Sequence, residues 1–355
     1  MTAKRLEKLQ KAVKSASLDA ALLTSAENIR YFSGFSSADG FVLVTREKAI
    51  LFTDFRYLIQ AKAETSGVEV REITRTNAVE VFAAAVKEHA VASVGCEQEN
   101  LTVARFTQFQ PLGLAWEPFG GAISAPRMIK TAPEIESLKK AQIIADRAYS
   151  ELLDRVKPGM TELEVAAELN YLCARLGSEG PSFDPIVGSG PNGAMCHARP
   201  GNRKLTNGDL VVVDFGCVVD GYHSDMTRTF GIGELDPELI KVYDVVLEAQ
   251  TRCLEALKPG ITGKELDAIA REYIASEGYG DCFGHGLGHG FGLLIHEAPT
   301  ASAASTDTLK AGMTVTIEPG IYLEGRGGVR IEDCCVLTKD GHIDLVSTSG
   351  RLVIL

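Results

Sequence analysis

Four carboxylates fall in two similar segments of the sequence, and their types and spacing could bind metal cations. In the first segment an apolar run ends at Asp214 and the returning chain carries Asp225. In the second an apolar run ends at Glu318 and the returning chain carries Glu332. If the four meet, their like charges oppose ionisation, and two divalent cations would neutralise them. Such a centre is suited to hydrolysis by a metal-activated water.

The first acidic segment contains a turn signal that predicts its register. Asp-Gly is a strong signal for a two-residue hairpin turn, and it stands at 220–221. Such a turn would place Asp214 opposite Thr227, with Asp225 diagonal to Asp214 on the same face. The alternative is that both aspartates are solvated charges beside a turn. However, Asp214 follows an apolar Leu-Val-Val-Val run, and a buried strand seldom ends in an inward carboxylate without a partner.

A glycine- and histidine-rich segment lies between the two acidic segments. Glycine occupies every second position from 284 to 292, which disfavours a helix. In an extended chain, alternation would put four side chains on one face: His285, Leu287, His289 and Phe291. The bare face would let another strand approach closely. Three histidines within twelve residues, the third being His296, favour chemistry over the alternative of structural histidines. His289 would add a nitrogen to oxygen-rich coordination, which suits Mn²⁺, Co²⁺, Fe²⁺ or Zn²⁺.

The elements that must position these side chains divide into two domains. Residues 1–126 alternate helical and strand patterns and predict a small α/β domain. The expected helices cover 2–16, 54–66 and 78–89, and the expected hairpin joins 41–45 to 49–53. A cluster of prolines and glycines at 111–133 marks the boundary. Residues 127–355 then form a second, α+β domain.

The second domain contains an internal repeat. Lys-Pro-Gly-x-Thr occurs at 157–161 and again at 258–262, and each threonine is followed three residues later by a glutamate. This pattern predicts a capping box at the start of a helix in each copy. The acidic segments repeat in the same order at a similar offset, Asp214 to Glu318. The sequence therefore predicts two related halves packed about a pseudo-twofold axis.

Composition excludes several classes of function. The net charge of −11 disfavours binding to nucleic acid or to an anionic membrane surface. No stretch has the roughly 18 apolar residues of a membrane span. The first twelve residues form an amphipathic pattern without the apolar core of a signal peptide. The eight cysteines show no C-x-x-C spacing, so we expect reduced thiols in a cytoplasmic protein.

On these residues the second domain resembles the pita-bread metallopeptidases, which include methionine aminopeptidase, Xaa-Pro aminopeptidase and Xaa-Pro dipeptidase (prolidase). The resemblance spans roughly residues 130–350 and implies five metal ligands: Asp214, Asp225, His289, Glu318 and Glu332. It implies that Asp225 and Glu332 bridge two divalent ions. Segment 28–35 carries a weaker likeness to the N-terminal domain of prolidases and creatinases, which favours the proline-directed branch over methionine aminopeptidase.

The resemblance also implies roles for further residues. Glu318, His197 and His296 would be catalytic, with Glu318 as the proton acceptor and the two histidines beside the reacting carbonyl. His285, Arg330 and Tyr322 would lie near the proline ring and the carboxyl end of the substrate. The implied reaction is hydrolysis of an N-terminal Xaa-Pro bond in dipeptides or short peptides through a metal-bridging hydroxide. The implied cofactors are two divalent ions, foremost Mn²⁺ or Co²⁺, and the implied assembly is a homodimer.

Three other interpretations remain open at this point. A creatinase-like enzyme would cleave a C–N bond without metals, and a pita-bread binding protein would have no activity. Neither would need all five ligands, which this sequence retains. Arg330 could instead form a buried ion pair with Glu332 or Asp333.

Overall fold

The computed structural model describes residues 2–355, whose contacts separate them into a unit ending at Arg127 and a unit spanning Met128–Leu355. The division falls within the Pro/Gly-rich segment 111–133. No helix among the described residues is long and apolar enough to cross a membrane.

The first unit is a mixed six-stranded sheet with helices. Its strands are β1 (Ala20–Leu23), β2 (Phe41–Thr45), β3 (Ala49–Thr53), β4 (Glu69–Glu72), β5 (Ser93–Cys96) and β6 (Ala115–Pro118), in the order β4-β3-β2-β1-β5-β6. Its helices are α1 (Thr2–Ser15), α2 (Ala26–Ser33), α3 (Leu58–Glu64), α4 (Ala78–Glu88), α5 (Val103–Phe109) and α6 (Gly120–Met128), the last crossing into the second unit. The predicted β2–β3 hairpin is confirmed, with Phe41 opposite Phe52. The helix expected at 54–66 is shorter, because a 3₁₀ turn at Phe55–Tyr57 precedes α3.

Four helices of the second unit come in two pairs. They are α7 (Ala132–Leu153), α8 (Glu162–Arg175), α9 (Pro237–Ala256) and α10 (Gly263–Ser276). The two predicted capping boxes are confirmed at the starts of α8 and α10. In each, the glutamate N–H donates to the threonine hydroxyl at 3.1 Å, and the glutamate carboxylate accepts from the threonine N–H.

The strands of the second unit repeat in the same way. They are β7 (Ile186–Ser189), β8 (Leu210–Phe215), β9 (Val218–Val219), β10 (Tyr222–His223), β11 (Met226–Gly231), β12 (Gly288–Gly290), β13 (Glu297–Ala301), β14 (Thr314–Ile317), β15 (Gly320–Leu323), β16 (Gly327–Arg330), β17 (Asp333–Leu337) and β18 (His342–Asp344). One sheet has the order β11-β8-β7 and another the order β14-β17-β18. Helices α7 and α8 pack on the first sheet, and α9 and α10 supply the core against the second. This repeated order of elements matches the two related halves expected from the sequence.

The two acidic hairpins share one construction. In the first, β8 pairs with β11 in the predicted register, with Asp214 opposite Thr227, and the tip strands β9 and β10 pair separately. In the second, β14 pairs with β17, and a longer tip is made by β15 and β16. Asp225, Glu318 and Glu332 all lie in the gaps between a main ladder and its tip. The regular pairing of β8 with β11 begins at Met226, so Asp225 lies one residue beyond the end of that ladder.

Candidate metal centre and active site

All five expected ligand side chains line one cavity of 330 Å³ in the second unit. They reach it from both halves: Asp214 and Asp225 come from the first hairpin, and His289, Glu318 and Glu332 come from β12 and the second hairpin. The other cavity-lining residues from the sequence hypothesis are His197, His285, His296 and Arg330. Tyr322 is not a lining residue and acts on the cavity through hydrogen bonds to two of them.

The donor atoms are close enough for coordination. One ligand atom each from Asp225, His289 and Glu332 lie within 4.8 Å of one another. His289 Nε2 lies 3.6 Å from Asp225 Oδ2 and 3.4 Å from Glu318 Oε1. Asp214 lines the same cavity, and its Oδ2 accepts a hydrogen bond from Arg330. The cluster combines four carboxylates with one imidazole.

Two observations show that this donor set fits divalent cations. Asp214 Oδ1 and Glu332 Oε1 are buried and accept no hydrogen bond from any of residues 2–355, although buried carboxylate oxygens ordinarily have partners. Burial, reinforced by the neighbouring carboxylates, raises the pKa of Asp225 and the pKa of Glu332 well above their usual range. Burial also raises the pKa of Glu318 to about 7. Positive charge is what such a cluster needs to ionise fully.

The hydrogen bonds of His289 prepare one nitrogen for coordination. Its Nδ1 lies 3.1 Å from the carbonyl oxygen of Gly290, which can only accept, so Nδ1 carries the proton and donates. Nε2 then presents a lone pair toward the carboxylates. A metal-binding histidine ordinarily donates its other N–H to a carbonyl or carboxylate in this way. Burial lowers the pKa of His289, which favours the neutral ring that a ligand requires.

His285, Tyr322 and Arg330 form a chain of hydrogen bonds along one wall. His285 Nδ1–H donates to the carbonyl oxygen of Gly286 at 2.8 Å, so its Nε2 accepts from the Tyr322 hydroxyl at 2.9 Å. The Tyr322 oxygen accepts from Arg330 at 2.9 Å. Burial lowers the pKa of His285 to about 4 and raises the pKa of Tyr322 to about 12, so both are neutral near pH 7.

The ion pair of Arg330 differs from the alternatives that the sequence left open. Arg330 is 3% exposed and pairs with Asp214, not with Glu332 or Asp333. Asp333 is instead paired with Arg228 at 2.6 Å. Both arginines lie near several carboxylates, and sequence spacing alone does not choose between those partners.

Two further histidines occupy the open side of the cavity. His197 is exposed to solvent and lies in the segment between β7 and β8. The ring of His296 packs edge-on against His289, with 4.2 Å between ring centres. Burial and the neighbouring His289 lower the pKa of His296, which favours its neutral form. Both rings can therefore offer a hydrogen bond beside the carboxylates.

The glycine-rich segment is only partly as expected. Gly288–Gly290 forms a strand, and close approach through bare glycine is confirmed, since a Cβ on Gly288 would lie 1.9 Å from the carbonyl oxygen of Thr316. The prediction that Leu287 shares a face with the histidines was wrong. Leu287 is fully buried in the hydrophobic core, whereas His285 and His289 line the cavity. The regular strand begins only at Gly288, so strict alternation does not extend back to residue 285.

Replacing Gly288 with alanine should disturb the centre. The added methyl group would push β12 away from β14 and displace His289, so we expect weaker cation binding and a lower melting temperature. Gly284→Ala is the control, because a Cβ there meets no atom within 4 Å. Calorimetric titration with Mn²⁺ and thermal melting of both variants test this, and equal behaviour of the two would contradict it.

Two threonines that the sequence hypothesis did not assign to the site hold its ligands. Thr316 donates to Glu318 Oε1 at 3.1 Å and accepts from the backbone N–H of His289 at 3.0 Å. Thr227 donates to Glu332 Oε2 at 2.7 Å and accepts from Arg330 Nε at 3.1 Å. Their positions in the sequence could have indicated this role, because side chains two residues apart on a strand share a face. Thr316 lies two residues before Glu318, and Thr227 lies two residues after Asp225.

Removing the Thr316 hydroxyl should weaken cation binding without unfolding the protein. We expect Thr316→Val to lower affinity by roughly 10–100-fold, the usual cost of losing a group that orients a metal ligand, while Thr316→Ser restores most of it. Thr314→Val is a matched control on the same strand, because Thr314 is equally buried and its hydroxyl bonds, among residues 2–355, only the backbone of Phe291. Calorimetric titration of chelator-treated protein measures the affinities. If Thr314→Val loses as much as Thr316→Val, the effect belongs to the strand and not to the ligands.

Both units of the chain are similar to known proteins. Residues 136–339 match the model of metallopeptidase family M24, and residues 5–129 match the creatinase/prolidase N-terminal domain. An Xaa-Pro dipeptidase of Pyrococcus furiosus is 39% identical over 352 residues, which cover 98% of this chain and 99% of that protein. An Xaa-Pro dipeptidase structure from Bacillus anthracis has a TM-score of 0.96 at 39% identity and covers 100% of both chains. An X-Pro aminopeptidase structure from Thermotoga maritima has a TM-score of 0.89 at 36% identity, covering 97% of this chain and 100% of that chain.

These similarities extend over both units and cover nearly the whole chain. They confirm the fold class expected from the sequence, an N-terminal creatinase-like domain followed by a pita-bread domain. The M24 family implies divalent metal ions, in agreement with the donor cluster described above. The chain therefore belongs to metallopeptidase family M24 and carries a creatinase/prolidase N-terminal domain.

Proposed function

We propose that this protein hydrolyses the N-terminal Xaa-Pro bond of dipeptides or short peptides with the help of two divalent cations. The observation that carries the proposal is the meeting of four carboxylates and one imidazole in a single cavity. The relatives named Xaa-Pro dipeptidase and X-Pro aminopeptidase support the preference for proline. So does the creatinase/prolidase N-terminal domain, which they share with this chain.

Five residues would hold the two ions: Asp214, Asp225, His289, Glu318 and Glu332. When bound, divalent cations such as Mn²⁺ or Co²⁺, or alternatively Zn²⁺ or Fe²⁺, would lower the pKa of a shared water toward neutrality and polarise the scissile carbonyl. The buried, unpartnered oxygens of Asp214 and Glu332 support this assignment.

The other side chains of the cavity would transfer the proton, bind the carbonyl oxygen and position the substrate. Glu318 accepts the proton of the attacking water and delivers it to the proline nitrogen as the C–N bond breaks. Burial raises the pKa of Glu318 to about 7, so positive charge beside it is needed to keep it ionised. The ring N–H groups of His197 and His296 donate to the oxygen of the scissile carbonyl as negative charge develops there. His285, Tyr322 and Arg330 form the wall that receives the proline ring and the carboxyl end of the substrate. An X-Pro amide has no N–H to offer, so shape and electrostatics must replace backbone pairing.

We propose that the protein acts in the cytoplasm, which its eight unpaired cysteines support because disulfides are rare there. We also propose a homodimer, an assembly implied by the family resemblance.

Elemental analysis of the purified protein, followed by assays of Xaa-Pro dipeptides with and without a chelator, tests the proposed function. We expect about two bound ions per chain, loss of hydrolysis with the chelator and recovery on adding Mn²⁺ or Co²⁺. A folded protein that binds no metal and cleaves no Xaa-Pro peptide would instead be a binding protein. Hydrolysis that persists without metal would favour a creatinase-like C–N hydrolase.

A further inference from the structure

A lysine and a glutamate form a buried ion pair next to the segment that carries His296. Lys130 Nζ lies 2.7 Å from Glu297 Oε1, and only 1% of the lysine side chain and 7% of the glutamate side chain are exposed. Lys130 directly precedes the cap of α7, and its backbone N–H donates to the carbonyl oxygen of Gly312 at 2.7 Å. Glu297 is the first residue of β13 and directly follows His296. The pair therefore connects the start of α7 to the residue after His296.

We propose that this ion pair positions the imidazole of His296 in the catalytic cavity. The inference rests on the proposed function, in which His296 donates to the oxygen of the scissile carbonyl, and it adds two positioning residues to that site. Lys130 and Glu297 do not line the cavity themselves, so they act through His296 and do not contact the substrate.

The segment that carries His296 has little regular structure of its own. Residues 291–296 connect β12 to β13 and form neither helix nor strand. The carbonyl oxygen of Gly292 accepts a hydrogen bond from the backbone of His223 at 2.8 Å, which fixes the start of the segment. At the other end the ladder between β12 and β13 is irregular beside Gly290. The position of His296 therefore depends on what holds Glu297.

The ion pair packs against the bare α-carbon of Gly292. A Cβ there would lie 2.4 Å from Glu297 Oε1 and 3.1 Å from Lys130 Cε, so this contact brings the two ends of the segment together. Successive side chains of an extended chain point to opposite sides. A Glu297 carboxylate held against Gly292 thus directs the ring of His296 the other way, where its centre lies 4.2 Å from that of His289.

Stability alone is a weak reason for such a pair. Apolar side chains of similar shape often replace a buried ion pair without loss of stability. A short hydrogen bond between two charged groups instead fixes the distance and direction of both side chains. Position is therefore the property that the pair supplies to the neighbouring histidine.

Removing both charges tests the inference. Lys130→Met/Glu297→Gln, the double variant, leaves no unpaired buried charge, so we expect little change in melting temperature. With Mn²⁺ bound, kcat for Ala-Pro should fall on the order of tenfold, less than the roughly 100–1000-fold cost of removing an oxyanion donor. KM and the affinity for Mn²⁺ should stay within about twofold of wild type, because His296 acts on charge that develops only in the transition state. Glu136→Gln/Lys139→Met, which removes an exposed pair on α7, is the control and should change nothing.

A double-mutant cycle with His296→Ala separates positioning from a general structural role. If the pair acts through His296, the double variant should lower kcat by less than about twofold in the His296→Ala background. Glu297→Asp, which keeps both charges and shortens the acid by one methylene group, should show the same dependence on His296. An equal loss in both backgrounds, or no loss in either, would overturn the inference. A loss of Mn²⁺ affinity would do so as well, because it would assign the pair to the ligand His289.

A crystal structure of the double variant gives a measurement that does not depend on activity. We expect the ring centres of His289 and His296 to lie farther apart than the 4.2 Å of the wild-type chain. Unchanged ring positions would overturn the inference even if the wild-type protein proved inactive. Cation-loaded wild-type protein that cleaves no Xaa-Pro peptide would contradict the proposed function alone.

Discussion

Glu332→Gln should abolish hydrolysis and cation binding while leaving the cation-free protein at least as stable as wild type. Glu332 is 1% exposed, and glutamine keeps its shape and can still accept the hydrogen bond from Thr227. The substitution removes a charge that burial and the neighbouring carboxylates disfavour, so the cation-free protein should be no less stable than wild type. It also removes a residue that would hold the cations, so the loss of activity should exceed the roughly 10–100-fold cost of removing a group that only orients a ligand.

This combination of effects is specific to a ligand. A residue important only for packing would lower stability and activity together. The matched control is Glu324→Gln, at the exposed tip of the same hairpin, which should leave both properties unchanged. Melting curves in chelator and in Mn²⁺, calorimetric titration and dipeptide hydrolysis provide the measurements. Retention by Glu332→Gln of the Mn²⁺-induced rise in melting temperature would refute the proposed role.

Arg228→Met should cause the largest loss of stability. Arg228 is 2% exposed and pairs with Asp333. Its guanidinium also donates to the carbonyl oxygens of Thr227 and Glu332, at 2.9 and 2.7 Å, and of Thr348 at 2.6 Å. Breaking a buried ion pair by removing one partner costs about 3–5 kcal/mol. For a unit of this size we expect the melting temperature to fall by roughly 10 °C.

Removing the orphaned charge should recover part of this loss. In Arg228→Met the carboxylate of Asp333 remains buried beside Asp344 without the guanidinium that paired with it, although Gln250 still donates to it. Adding Asp333→Asn should therefore raise the melting temperature again. Arg252→Met is the control, because Arg252 forms an exposed pair with Glu248 and its loss should have little effect. Equal melting temperatures of Arg228→Met and Arg252→Met would show that the buried network does not stabilise the domain.

Local signals in the sequence were sufficient for much of the site. Asp220-Gly221 determines its own turn type, and this fixed the pairing of Asp214 with Thr227. The capping boxes at Thr161 and Thr262 depend on residues only three apart. The bare face of Gly288 predicted the close approach of a neighbouring strand. In each case the responsible interactions lie within a few residues or follow from alternation.

Other features depend on contacts that the sequence does not specify. The choice of Asp214 as the partner of Arg330 depends on how the two hairpins pack. Pro319 has no N–H to donate, so it interrupts the pairing between β14–β17 and the separate tip strands β15 and β16. No residue in the sequence predicted the length of that tip. The burial of Leu287 results from the core beneath the glycine-rich segment, which only the tertiary structure defines.

The division of the ligand set between the duplicated halves has a thermodynamic consequence. Asp214 and Asp225 belong to one half of the second unit, and the remaining ligands belong to the other half. A tightly bound pair of ions would therefore link the two halves. Ions that bind only the assembled form stabilise it by mass action. The free energy of unfolding of the catalytic domain would then depend on the concentration of free metal, so that loss of metal would destabilise the fold as well as stop the reaction.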